Sequence, residues 1–227
     1  MVVRETLKTI GIPRGEIEAI IREVVVEGAM AQAYSVGPEE HIHLTAPEER
    51  FEEIKGELIR RLGEAYYGGV EDRLEEVVGR LLRSRGATLA VAESLTGGLI
   101  CDRITDIPGS SDYFMAGAIA YSNESKVETL GVPEGVMRDR GAVSYETAKL
   151  MAEGVKGRFK TTFGLAVTGI AGPTGGSPQK PVGTVYIALA TPAETRVEHK
   201  LIPGDRRAVK VAASSFALDM LRRALRG

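Results

Sequence analysis

Three polar corners stand out in the chain: "AESLTGG" at 92–98, "AYSNESK" at 120–126 and "TGIAGPTGG" at 168–176. Each follows a short run of small or branched apolar residues, the pattern of a buried strand. Ligands of open α/β sheets bind at the carboxyl ends of strands, so three such corners point to one site. The first corner offers a nucleophile, Ser94, where the strand "TLAVAE" gives way to a helix carrying Leu99 and Ile104. Unpaired amides and the dipole of a helix start favour anions. A serine there could attack an acyl carbon and have the oxyanion held nearby. A purely structural reading competes, because serine and threonine are favoured helix caps.

The second corner offers a base. Asn123 reads as the cap of a helix that stops at Gly131, which puts Lys126 at its third position. The positive end of the dipole costs a cation there about 0.3–1 kcal/mol, and that cost lowers the lysine pKa. Burial against "AGAIAYS" would lower it further. A neutral lysine can deprotonate a serine; an exposed helix lysine is the competing reading. Tyr121, at the strand end, could relay a proton or bond Ser94, or it could be an interface aromatic with its hydroxyl in water.

The third corner is not a Walker loop, since no glycine in it precedes Lys-Ser or Lys-Thr. Its exposed amides could still cradle a phosphate or carboxylate; a flexible connector is the alternative. "SPQK" at 177–180 has the S-x-x-K spacing of penicillin-recognising enzymes, but that motif needs a helix and Pro181 would break one. "PGDR" at 203–206 opens the last helix with Asp205 as its cap. Arg206 or Arg207 could reach an anion there, or both could simply be solvated. No metal is expected. His41 and His43 share a face of an exposed strand, His199 lies on another, and no third ligand clusters with them. Cys101 reads as a buried helix residue.

The elements that must position these corners alternate. "DRLEEVVGRLLRSRG" has Leu74, Val77, Val78, Leu81 and Leu82 on one helical stripe. After it come "TLAVAE", "GGLICDRIT", "AGAIAYS", "NESKVETLG", "SYETAKLMAEGVKGRF" capped by Ser144, and "FGLAVTG". A hairpin of "VGTVYIALA" and "TRVEHKLI" and a long final helix close the chain. This predicts an α/β domain over 70–227, a mixed sheet flanked by helices. Before it, an α-β-β-α order with "GPEE" as the hairpin turn, followed by the extended "AYYGG", predicts a small α+β domain over 1–69.

The 227 residues carry 29 Lys and Arg against 31 Asp and Glu, a net charge of −2. That argues against a general nucleic-acid binder. No apolar run approaches a membrane span. The start, "MVVRETLKTIG", lacks the apolar core of a signal peptide, and the single cysteine excludes an internal disulfide framework. Cytoplasm is the expected compartment. With no Trp and 5% aromatics, the core must be aliphatic.

The words "AVAESLTGG", "GAIAYSNESK", "GAVS", "VTGIAGPTGG", "KPVGTVYIALA" and "PGDR", in this order over about 71–225, resemble the C-terminal domain of the CinA family. That domain also occurs alone as nicotinamide mononucleotide amidase. The resemblance implies hydrolysis of the carboxamide of nicotinamide mononucleotide to nicotinic acid mononucleotide and ammonia. It implies Ser94 as nucleophile, Lys126 as base and Tyr121 as the assisting residue, with no cofactor. The same trio follows from the strand-end argument. Backbone amides around Thr96, Gly97 and Gly98 are the expected oxyanion donors, each contributing roughly 2.7–4 kcal/mol in comparable sites. Further substrate contacts are expected from Glu93, Ser122 and Asn123, from Thr168, Gly169, Ala171 and Gly172, and from Arg206 and Arg207.

Residues 1–69 resemble the small KH-like segment of long CinA proteins, through "LTAP" and "LGEAYYGG", but lack the GXXG loop that binds nucleic acid. The large molybdopterin-binding-like domain of those proteins has no counterpart here, and its ADP-ribose pyrophosphatase activity is not expected. Leu95 stands where many relatives have cysteine, and Lys210 where arginine is frequent. The expected partners are a small-molecule nucleotide and further copies of the chain in a homo-oligomer, a dimer being favoured, with no nucleic acid or membrane.

Overall fold

A computed structural model describes residues Met1–Gly227. The chain divides into two compact units, Met1–Val77 and Val78–Gly227, a division that falls inside one helix. The first unit runs β1 (Val2–Ile10), α1 (Arg14–Val24), β2 (Met30–Val36), β3 (Glu39–Pro47), α2 (Glu48–Leu62) and β4 (Tyr66–Gly68). Its strands lie in the order β2-β3-β1-β4, every pair antiparallel. This is the ferredoxin-like split-βαβ arrangement, with one strand more than the α-β-β-α order and extended "AYYGG" expected from the sequence. The difference is β1, a central strand. Its charged residues Arg4, Glu5 and Lys8 interrupt the apolar run. In the fold, Glu5 accepts an ion pair from Lys55 of α2 at 2.7 Å, and Lys8 donates to the Asp72 carbonyl at 2.8 Å. The apolar residues Leu7, Ile42 and Leu44 of the sheet pack under Ile17 of α1 and Phe51, Ile54 and Leu58 of α2.

The helix α3 (Leu74–Ser84) leads into the second unit. There follow β5 (Leu89–Glu93), α4 (Leu99–Thr105), β6 (Phe114–Ile119), α5 (Asn123–Leu130), α6 (Glu134–Arg140), α7 (Tyr145–Phe159), β7 (Phe163–Gly169), β8 (Thr184–Ala190), β9 (Thr195–Leu201) and α8 (Arg206–Arg226). The sheet order is β6-β5-β7-β8-β9. The first three strands are parallel and the last two antiparallel, so the sheet is mixed, as expected. The residues of β5 are all buried, which matches an unbroken apolar run covered on both faces.

Strand side chains alternate between faces. Ala90 and Ala92 of β5, Ala166 of β7, and Ala188 and Ala190 of β8 form one face and pack on Ala148, Met151, Ala152 and Val155 of α7. A face of alanines lets the helix approach closely, and at Gly164 even a Cβ would stand 2.7 Å from the Cβ of Lys156. The other face meets α4 and α8. Because β5, β6 and β7 are parallel, their carboxyl ends lie along one edge of the sheet. That single fact brings the three polar corners together. No helix is long and apolar enough to cross a membrane.

Candidate functional site

Ser94 follows the last residue of β5 and keeps its sheet register, its amide donating to the Val167 carbonyl of β7 at 3.0 Å. The chain then turns through Gly97 at φ +61° and Gly98 at φ +98°, conformations that glycine adopts without steric cost. The helix α4 begins only at Leu99, with Gly98 in the cap position. Ser94 therefore caps nothing. The cap is supplied by Glu93, whose carboxylate accepts the amides of Gly98 at 2.9 Å, Ile100 at 3.2 Å and Cys101 at 2.8 Å. The Ser94 hydroxyl makes no hydrogen bond within the chain and faces a cavity of about 200 Å³.

Two expectations at this corner are corrected. Glu93 is fully buried, committed to three amides, and does not line the cavity. The Gly97 amide is occupied by the Ser94 carbonyl at 3.2 Å and the Gly98 amide by Glu93, so neither is free for an oxyanion. The amides of Leu95 and Thr96 are the ones that remain. The Thr96 hydroxyl is buried without a partner.

Lys126 reaches the same cavity from α5. The helix is capped by Ser122, whose hydroxyl accepts the Ser125 amide at 3.1 Å, not by Asn123. Lys126 is therefore one position deeper than expected, and the dipole penalty of the third position does not apply. Nor is it an exposed lysine: it is 1% accessible. Its side chain turns back so that Nζ donates to the carbonyls of Ala120 at 2.9 Å, Tyr121 at 3.1 Å and Ser122 at 3.4 Å. Burial pushes its pKa below the ordinary lysine value, against the opposing pull of the Glu124 carboxylate. The three carbonyls match the three N–H groups of the ammonium, and a neutral amine, with two, would give up one of these contacts.

Tyr121 and Arg206 close the mouth. Arg206 is the first residue of α8, a helix capped by Asp205, which accepts the Ala208 amide at 2.8 Å. Its guanidinium donates to the Gly172 carbonyl at 2.8 Å and to the Tyr121 hydroxyl at 2.9 Å. The Tyr121 hydroxyl thus meets Arg206 and not Ser94. Thr168, Gly169 and Ala171 form the floor from the end of β7. Gly172 takes part only through its carbonyl, while Ser122, Asn123 and Arg207 are exposed and lie off the cavity. Three lining residues carry no chemical signature in the sequence: Leu95, Ala142 and Val143. The last two belong to the "GAVS" word, which marks the wall only through the Ser144 cap of the helix behind it.

No group of three His, Cys, Asp or Glu is assembled that could hold a metal ion. His41 is buried, not exposed, and sits 3.2 Å from the Glu39 carboxylate. His199 stacks on Tyr186, ring centroids 4.8 Å apart. Cys101 is partly buried, and burial together with the neighbouring Glu93 charge pushes its thiol pKa up, away from reactivity.

The family model described as the CinA C-terminal domain matches residues 71–225. A CinA-like protein from Syntrophus aciditrophicus is 46% identical over 99% of this chain and 56% of its own length. One from Myxococcus xanthus is 42% identical over 96% of this chain and 54% of its own. The chain thus spans about half the length of the curated relatives it matches. Among solved structures, the competence/damage inducible protein CihA from Agrobacterium tumefaciens is 38% identical with a TM-score of 0.64, covering 68% of this chain and 96% of its own. A CinA superfamily protein from Klebsiella pneumoniae is 28% identical with a TM-score of 0.65, covering 68% and 99%.

Proposed function

The chain belongs to the CinA C-terminal domain family, and on that premise we propose that it hydrolyses the carboxamide of nicotinamide mononucleotide, as a cytoplasmic enzyme of pyridine nucleotide salvage. The observation that carries the proposal is the meeting of Ser94 and Lys126 in one small cavity, with the Arg206 cation at its mouth. Ser94 Oγ attacks the amide carbon while Lys126 takes its proton. The ammonium then returns that proton to the departing nitrogen, ammonia leaves, and an ester on Ser94 remains. Water, deprotonated in turn by Lys126, hydrolyses the ester to the acid and free serine.

The free Leu95 amide, next to the nucleophile, is the first candidate to hold the oxyanion, with Thr96 beside it. The cavity, about 200 Å³, is smaller than the roughly 300–1,000 Å³ that encloses a drug-sized ligand. The pyridine carboxamide would enter it, and the ribose phosphate would lie outside, toward Arg206 and the 168–172 segment. One assay tests the reading: ammonia release from nicotinamide mononucleotide by the purified chain, with nicotinic acid mononucleotide as the second product. No release at high enzyme concentration would sink it. A second reading, a nucleotide-binding module without catalysis, is favoured by the three carbonyls that hold Lys126 away from a hydrogen bond with Ser94. Binding of the nucleotide without turnover would select it.

A further inference from the structure

We propose that Lys180 is a positioning residue: its ammonium straps the exposed loop 173–182 to one wall of the cavity and so sets how well that wall receives a substrate. The role in substrate binding rests on the proposed function; the strap itself does not. The wall is the segment between α6 and α7, which has neither helix nor strand. Backbone carbonyls in such a segment need partners from elsewhere, and here four in succession find them in side chains. The Gly141 carbonyl accepts from Thr147 Oγ1 at 2.7 Å and from Ser144 at 3.1 Å. The Ala142 carbonyl accepts from Thr168 Oγ1, at the end of β7, at 2.8 Å. The carbonyls on either side, of Arg140 and Val143, accept from the single Nζ of Lys180 at 2.9 and 2.6 Å. Ala142, Val143 and Thr168 line the cavity.

The first two of these anchors are local or rigid, while Lys180 comes from a stretch, Pro173–Gln179, that is wholly exposed. "SPQK" explains how an exposed loop can hold a lysine still. The Ser177 amide donates to the Lys180 carbonyl at 2.9 Å, and the Lys180 amide donates to Ser177 Oγ at 3.1 Å. The four residues form a closed turn with a proline inside and another after it, which limits the conformations of the lysine backbone. Arg140 is also the last residue of α6, so the ammonium sits at a helix carboxyl end, where a cation is favoured.

The test compares Lys180→Met, which removes the donors but keeps the stem, with Lys180→Arg, which keeps donors and charge. By hydrogen exchange without substrate, Lys180→Met should speed exchange in 141–147 and in 173–182 together, with β5 and β7 unchanged, and Lys180→Arg should restore most of the protection. Unchanged exchange in 141–147 overturns the strap, whether or not the chain is an amidase. If wild type releases ammonia, Lys180→Met should raise KM about tenfold with kcat within about threefold. Faster exchange with an unaltered KM overturns the role in substrate binding. A wild type that releases no ammonia counts against the amidase reading alone, and the exchange result still decides the strap.

Discussion

Glu93 Oε2 accepts the Gly98 amide at 2.9 Å, so the residue before Ser94 neutralises the helix start that Ser94 would otherwise face. The turn between them is held as a loop closed by its own carboxylate. Glu93→Ala should leave one buried and two partly buried amides without a partner, each costing up to about 1–3 kcal/mol and less where water enters. The expected outcome is a loss of a few kcal/mol in denaturant unfolding, with the midpoint shifted and the slope unchanged. Glu93→Gln should lose less, because its amide oxygen still accepts.

Ser94 has the opposite standing. Its hydroxyl bonds nothing in the chain, so Ser94→Ala should change stability by no more than about 0.5 kcal/mol. Turnover should fall to background while nucleotide binding persists. Calorimetric titration and an ammonia assay on the same preparation separate the two effects. Near-wild-type turnover would remove Ser94 from the mechanism.

The convergence of three corners was legible because parallel strands with apolar runs must end on one sheet edge. What each corner does there was less legible. That Glu93 caps α4 depends on a turn closing back over itself, and a local pattern of Ser, Thr and Gly looks the same if the serine is the cap. The shift of the α5 cap from Asn123 to Ser122 is of the same kind, since neighbouring residues have similar capping strength. The wall at Ala142 and Val143 could not be found, because small apolar residues announce no contact and their anchors, Thr168 and Lys180, are distant in sequence. In the first unit, β1 was hidden because its charges are satisfied only by tertiary partners.

Tyr121 tests whether the hydroxyl moves a proton or steadies a cation. It bonds Arg206 at 2.9 Å, which supports the second role. Tyr121→Phe should raise KM several-fold, since Arg206 loses one of two anchors worth about 1 kcal/mol, and leave kcat within a few-fold. A drop in kcat of about 100-fold with KM unchanged would make it a proton-transfer group instead.

Every residue lining the cavity lies between Ser94 and Arg206, inside the second compact unit. A chain beginning at Val70 should therefore fold and keep its activity, as the near-complete coverage of the Agrobacterium protein by 68% of this chain encourages. Thermal unfolding and the ammonia assay check both halves. A folded but inactive truncation would mean that residues 1–69 help complete the site.

Lys126 carries the sharpest prediction, because burial lowers its pKa from the ordinary 10.5. In the proposed mechanism the neutral form is the base, so the rate should rise with pH through one ionisation and level off below that value. Stability has its own sign. Below the lowered pKa both folded and unfolded chains hold the proton, and the folded state bears the whole cost of the buried charge. Between the lowered pKa and 10.5 the unfolded chain binds more protons, so stability rises with pH across that window, by about 1.36 kcal/mol for each unit of lowering. Lys126→Met abolishes that rise; the difference in unfolding free energy between wild type and variant, followed with pH, isolates it. Lys126→Arg should be nearly inactive although it keeps the charge, because arginine stays protonated in proteins. If that variant retains full turnover, residue 126 supplies charge alone. If the pH-dependent stability difference is absent, the three carbonyls offset the burial and the amine is a poor base at rest.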